Sequence, residues 1–153
     1  MTAASSAASH DPWLLAGGIA SLVAAALHLA CIVGGPDWYR FLGAGEGMAR
    51  AAAAGRPGPA VLTFGIALVL AIWGAYALSG AGFVARLPML RPALVVISAI
   101  YCLRGAILFF PGMLRRPDLS PAFLRSSSVI VLAIGLVHVV GTVRSWHHLN
   151  GKG

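Results

Sequence analysis

Four apolar runs, at 13–34, 60–83, 93–110 and 126–143, hold one charged side chain between them, Arg104. Each has roughly 18–24 residues, and about 20 helical residues at ~1.5 Å rise cross the hydrocarbon layer of a bilayer. Only 10% of the 153 residues are charged and the mean hydropathy is +0.86. A soluble domain carries about 25% charged residues, so this polar inventory could not cover a water-facing surface. The sequence therefore predicts an all-α fold, an integral membrane four-helix bundle forming a single transmembrane domain over residues 1–153.

Charge collects between the runs. The segment 35–59 holds Asp37, Arg40, Glu46, Arg50 and Arg56, and 84–92 is a tight turn with Arg86 and Arg91. Pro111-Gly112 ends the third run, and a basic loop with Arg115, Arg116, Asp118 and Arg125 follows. The net charge of +7 is strewn singly through these segments, which excludes a nucleic-acid partner. Residues 1–12 contain no Lys or Arg, so they do not read as the basic start of a signal peptide. Six basic residues fall in the first and third connections and four in the second connection and tail. Against that raw count, the compact basic turn at Arg86 and Arg91 and the basic tail assign the N-terminus to the cytoplasmic side.

The first connection predicts a short amphipathic or re-entrant helix over 36–54. Pro36 suits a first helical turn, and Trp38, Phe41, Leu42, Met48, Ala49 and Ala52 share one face. Tyr39, Glu46 and Arg50 lie to one side of it. Gly43, Gly45 and Gly47 weaken its helical character.

Three runs carry a stripe of small or polar residues. These are Gly17, Ser21, Ala25 and His28 in the first, and Ser98, Tyr101 and Arg104 in the third. In the fourth they are Ser128, Val131, Gly135, His138, Thr142 and Ser145. Such stripes let membrane helices approach closely, so they are predicted to face inward. An arginine at mid-span costs about 2.5–3.5 kcal/mol, so Arg104 is expected to turn inward and find a partner. It falls ~4 Å from the predicted midplane and His28 ~7 Å, on the same side. No run contains an acid. Two pairings stay open for Glu46: the first connection lowers it toward Arg104 and His28, or it pairs with Arg50 four residues on.

His28 and His138 invite comparison with the two axial ligands of a haem, but their depths differ by about 9–10 Å. They read better as hydrogen-bonding or ligand-contacting groups. His10, His147 and His148 lack metal-ligand spacing, and Cys31 and Cys102 lack a CxxC partner, so neither a metal site nor a thiol-redox site is predicted. No catalytic motif is present, so whether the chain is an enzyme stays open, with the reading leaning to no. The candidate ligand-binding residues are His28, Tyr39, Glu46, Ser98, Tyr101, Arg104, Ser128 and His138.

The layout resembles the DoxX-like group of small four-helix bacterial inner-membrane proteins. The likeness rests on Gly34-Gly35-Pro36-Asp37-Trp38-Tyr39-Arg40-Phe41 after the first run, and on Ile100-Tyr101-Cys102-Leu103-Arg104-Gly105 in the third. It extends to Ser126-Ser127-Ser128 through Gly135-Leu136-Val137-His138 in the fourth. The resemblance implies a bacterial inner-membrane location, and some members of the group are linked to quinone-dependent sulfur oxidation.

The expected function is the binding of a small or lipidic molecule, an anionic one included, in a polar pocket inside the bundle. No cofactor is required; haem and quinone are the two groups the pattern admits. The alternatives are a quinone-contacting accessory subunit of a membrane oxidoreductase and a structural partner subunit. Membrane lipids, a homo-oligomer or a larger membrane complex are the expected partners.

Overall fold

The computed structural model describes residues 10–110, 112 and 121–150. Asp118, Arg115 and Arg116 lie outside the described residues, so their place in the third connection does too. The chain is all-α among the described residues. Its helices are α1 (Pro12–Gly34), α2 (Pro36–Phe41), α3 (Glu46–Ala53), α4 (Gly58–Gly80), α5 (Leu90–Ala106) and α6 (Pro121–Arg144). Short 3-10 turns follow at Ile107–Phe109 and His148–Asn150. Three of these helices, α1, α4 and α6, are long and apolar enough to cross a membrane.

Local chemistry explains the boundaries. Asp11 caps α1 by accepting from the Leu14 N–H at 2.9 Å, and Pro12 fills the first helical turn. Ser79 organises the α4–α5 turn, donating to the Ala85 carbonyl at 2.9 Å and accepting from Leu87 N–H at 3.0 Å. The predicted single helix over 36–54 is two short ones. The break falls at 42–45, where Gly43 (φ 72°) and Gly45 (φ 95°) adopt backbone angles that side chains disfavour. The third run also differs from expectation. The α-helix ends at Ala106, so Arg104 sits in its last turn rather than at mid-span. A cation there complements the negative end of the helix dipole.

Glycines set the helix contacts. Small residues at the crossings let the helix backbones approach closely. At the α1–α4 crossing, a Cβ on Gly18 would lie 3.2 Å from the Gly74 carbonyl, and one on Gly74 3.1 Å from that of Gly18. Between α5 and α6, Gly105 abuts the Leu132 backbone and Gly135 abuts Cys102. Gly17 receives the His138 ring, and Gly141 receives Leu14, which joins α1 to α6. By contrast α4 and α5, though consecutive, make far less contact than α1 with α4 or α5 with α6. They separate toward the end of the molecule that carries α2 and α3.

The opposite end is knit together. Leu14, Ala77, Leu90, Leu94 and Leu149 form its core. Asp11 lies 4.0 Å from Arg144, and Arg86 donates to the carbonyls of His148 and Leu149. Arg91 stacks 3.4 Å from the Trp146 ring centroid. The start of α1, the α4–α5 turn and the C-terminal tail therefore share one end. Large aliphatic side chains such as Val33, Val61, Leu103 and Val143 are exposed on the outer faces.

Candidate functional site

The separation of α4 from α5 leaves a cleft. It consists of two adjoining hollows of about 510 and 850 Å³ that share His28, Gly43, Ile66, Phe123, Ser127 and Ile130. Ala24 and His28 of α1 form the back wall. One side is α4 (Leu62, Gly65, Val69, Trp73), and the other is α5 and α6 (Ile100, Tyr101, Arg104, Ile134). The α2–α3 segment roofs it with Tyr39, Leu42, Ala44 and Met48. Gly43 is seated on the Phe123 ring so closely that a Cβ would fall 1.9 Å from it. That contact closes the roof against α6.

The floor is aromatic and hydrogen-bonded. Tyr101 meets Trp73 edge to face, with centroids 5.0 Å apart at 77°. Ser21 donates to the Gly17 carbonyl at 2.9 Å, so the Tyr101 hydroxyl is the donor in its 2.9 Å bond to Ser21. Below it, the His138 ring lies 5.1 Å from that of Tyr101, and its Nδ1 donates to the Ile134 carbonyl at 2.9 Å. His138 is fully buried, and its Nε2 has no hydrogen-bond partner among the described residues. The Thr142 and Tyr39 hydroxyls are buried without partners in the same sense.

Of the residues singled out in the sequence, His28, Tyr39, Tyr101 and Arg104 line the cleft. His28 Nδ1 donates to the Ala24 carbonyl at 2.7 Å, leaving Nε2 as an acceptor without a partner among the described residues. Arg104 is exposed rather than turned inward, and its Nη1 donates to Ser128 Oγ at 3.4 Å. Ser128 is therefore the buried anchor of the arginine and not part of the lining. Ser98 is buried beneath the cleft, donating to the Leu94 carbonyl at 2.7 Å. Of the two histidines, His28 faces the cleft and His138 packs under Gly17, so they do not flank a common space.

Glu46 does not join this group. Its carboxylate accepts from Arg40 Nε at 2.9 Å and Nη2 at 3.1 Å, with Arg50 at 4.0 Å. The six-residue reach back to Arg40 comes from the break between α2 and α3, which folds one helix onto the other. Asp37 holds the remaining arm of Arg40 at 2.9 Å. The Arg40 guanidinium holds the Glu46 carboxyl below the usual carboxylate range by hydrogen bonding and charge.

Gly65, Trp73 and Phe123 are among the cleft residues that the sequence did not single out. Trp73 was the most findable. A tryptophan in the middle of an apolar run, unlike Trp13, Trp38 and Trp146 near run ends, asks for an internal partner. Gly65 lines the cleft with nothing within 4 Å of where its Cβ would stand.

No family model, curated protein or solved structure matches the chain. Its chemistry is argued from the site alone.

Proposed function

We propose that the chain is an integral membrane protein of four crossings that binds a small or lipidic molecule in the cleft between α4 and α5. The observation that carries the reading is the cleft itself: an apolar space with His28 and Arg104 on its walls and a hydrogen-bonded aromatic floor. Mostly apolar pockets with a few convergent polar groups are the usual form of a ligand site.

Four crossings are supported by the shared end of the molecule. Three crossings would send the C-terminal tail to the side opposite the start of α1, yet Asp11 meets Arg144 and Arg86 grips the tail. On this reading α5 returns the chain. Its 17 residues extend about 25 Å, and Arg91 and Arg104 near its ends can reach the interfaces. The cytoplasmic N-terminus and the bacterial inner membrane belong to this proposal, as does kinship with the DoxX-like group. Support for that kinship comes from the order of a long helix, a short helical connection and a basic turn.

A quinone is the second occupant we put forward. The Trp73–Tyr101 pair at the floor favours a flat ring.

Native mass spectrometry of protein extracted gently from membranes tests the reading. A stoichiometric bound molecule, lost when the cleft is filled by Ile66→Trp, is the expected result. An apo chain that gains no ligand when lipid and quinone are supplied would sink it, and would leave a packing role in a larger complex.

A further inference from the structure

The cleft has a direction. From Val61 to Trp73 its α4 wall runs about 18 Å at a rise of roughly 1.5 Å per residue. The polar groups are not spread along it. His28 and Arg104 lie toward the roofed end, whereas Val69, Ile100 and Ile134 line the part that leads to the Trp73–Tyr101 floor. The roof is shut by Gly43 on Phe123, while Val61, Leu62, Val69 and Ile100 of the rims are exposed sideways. The open side thus faces where hydrocarbon would be, and the closed side faces the aqueous end.

Charge names the head of the occupant. The Arg40 guanidinium occupies Asp37 and Glu46, and Asp11 lies by Arg144 at the other end. Among the described residues no carboxylate reaches Arg104, whose one hydrogen bond is the long 3.4 Å contact to Ser128. Its guanidinium therefore keeps unused donors beside an apolar space. His28 adds, in the same cleft, a ring nitrogen with no partner among the described residues.

Resting on the binding reading above, we propose that the occupant is an anionic amphiphile that enters from the bilayer between α4 and α5. Its phosphate or carboxylate head lies against Arg104, with a head hydroxyl donating to His28 Nε2. Its tail lies along Gly65 and Val69 toward Trp73. Gly65 leaves space for the tail, since a Cβ at this lining position would stand in open space.

The test uses full-length protein in nanodiscs of phosphatidylcholine doped with phosphatidylglycerol of the same tails. Lipid retained after transfer to detergent is read by native mass spectrometry, with inorganic phosphate supplied in a parallel arm. The wild-type chain is expected to retain phosphatidylglycerol over phosphatidylcholine by roughly tenfold, the scale of one charge-assisted contact. Arg104→Gln is expected to bring the ratio near one, and Arg104→Lys to restore part of it. Gly65→Phe is expected to lower retention of both lipids while leaving the helical unfolding transition in place. Equal retention of the two lipids by the wild type overturns the anionic head but leaves the binding reading standing, as does selective retention of a neutral quinone. Saturation by inorganic phosphate that displaces no lipid overturns the amphiphile. Absence of any retained molecule overturns both readings. Undiminished retention by Gly65→Phe overturns the route along α4.

Discussion

The Tyr101 hydroxyl donates to Ser21 Oγ at 2.9 Å, joining α5 to α1 beneath the cleft. Both residues are buried, and Ser21 in turn donates to the Gly17 carbonyl, so the chain of donors ends on backbone. Tyr101→Phe removes the donor and leaves Ser21 its own acceptor, so the expected cost is about 0.6–1.5 kcal/mol. Ser21→Ala is expected to cost more, because it strands a hydroxyl in a buried site. Denaturant unfolding of both single variants and the double measures the coupling. Losses that simply add would mean that the bond contributes nothing to holding α5 against α1.

Glycines divide into two kinds, and substitution separates them. A Cβ at Gly105 would fall 2.6 Å from backbone atoms of Leu132, which cannot give way without moving α6. Gly105→Ala is expected to destabilise by about 1–3 kcal/mol, the range for overpacked contacts. At Gly65 the Cβ meets nothing, and Gly65→Ala is expected to stabilise by up to about 1 kcal/mol through helix propensity. The same unfolding assay decides both. Equal effects at the two sites would contradict the packing at α5–α6.

Helix periodicity carried much of this to the surface of the sequence. Gly17, Ser21 and Ala25, and Ser128, Gly135, His138 and Thr142, are all buried where their spacing put them. A stripe says which face is inward and not which neighbour it meets. Gly18, one residue off the stripe, makes the close crossing with Gly74 of α4, while Gly17 serves His138 of α6. Arg104 was legible as the one charge in an apolar run, but its height depended on where the helix ended. The end at Ala106 moved it from mid-span to the last turn, where facing outward is cheaper. The partner of Glu46 was not legible, because spacing rules hold within one helix and Gly43 and Gly45 break that helix in two. His28, Tyr39, Tyr101 and Arg104 of the cleft were legible, but its opening was not, since that depends on two consecutive helices diverging.

The Arg40–Glu46 contact has a pH signature. Its depressed folded-state pKa means that ionised Glu46 favours the folded connection at pH above the ordinary carboxylate value, about 4.3, and that this contribution fades as pH falls through the lower folded value. Both side chains are substantially exposed, so the effect on global stability is small and screened by salt. Arg40→Gln is expected to raise the Glu46 titration midpoint, read by carbon NMR of the labelled carboxyl. An unmoved midpoint would place Arg40 elsewhere in the folded protein.

Arg86 holds the tail by the backbone carbonyls of His148 and Leu149. Leu149 is 5% exposed and sits in the core with Leu14 and Leu94. Arg86→Ala is expected to speed amide exchange at Trp146 and Leu149, whose N–H groups bond to Val143 and Ser145, while the α6 amides stay protected. Unchanged exchange in the tail would mean that Leu149 burial is enough without the arginine.

Sidedness tests whether α5 returns the chain across the bilayer. In a variant with Cys31 and Cys102 replaced, single cysteines at the exposed positions Ala54, Ala85 and His147 can be challenged with an impermeant maleimide in sealed vesicles of known orientation. Four crossings put Ala85→Cys and His147→Cys on one face and Ala54→Cys on the other, with the first two cytoplasmic if the basic turn at Arg86 and Arg91 sets the orientation. If α5 lay along the interface, His147→Cys would label from the same face as Ala54→Cys. That outcome would also break the Arg86 contacts to the tail and the Asp11–Arg144 pair, since their partners would be a bilayer apart. The labelling pattern therefore tests the packed end of the molecule and the crossing of α5 together.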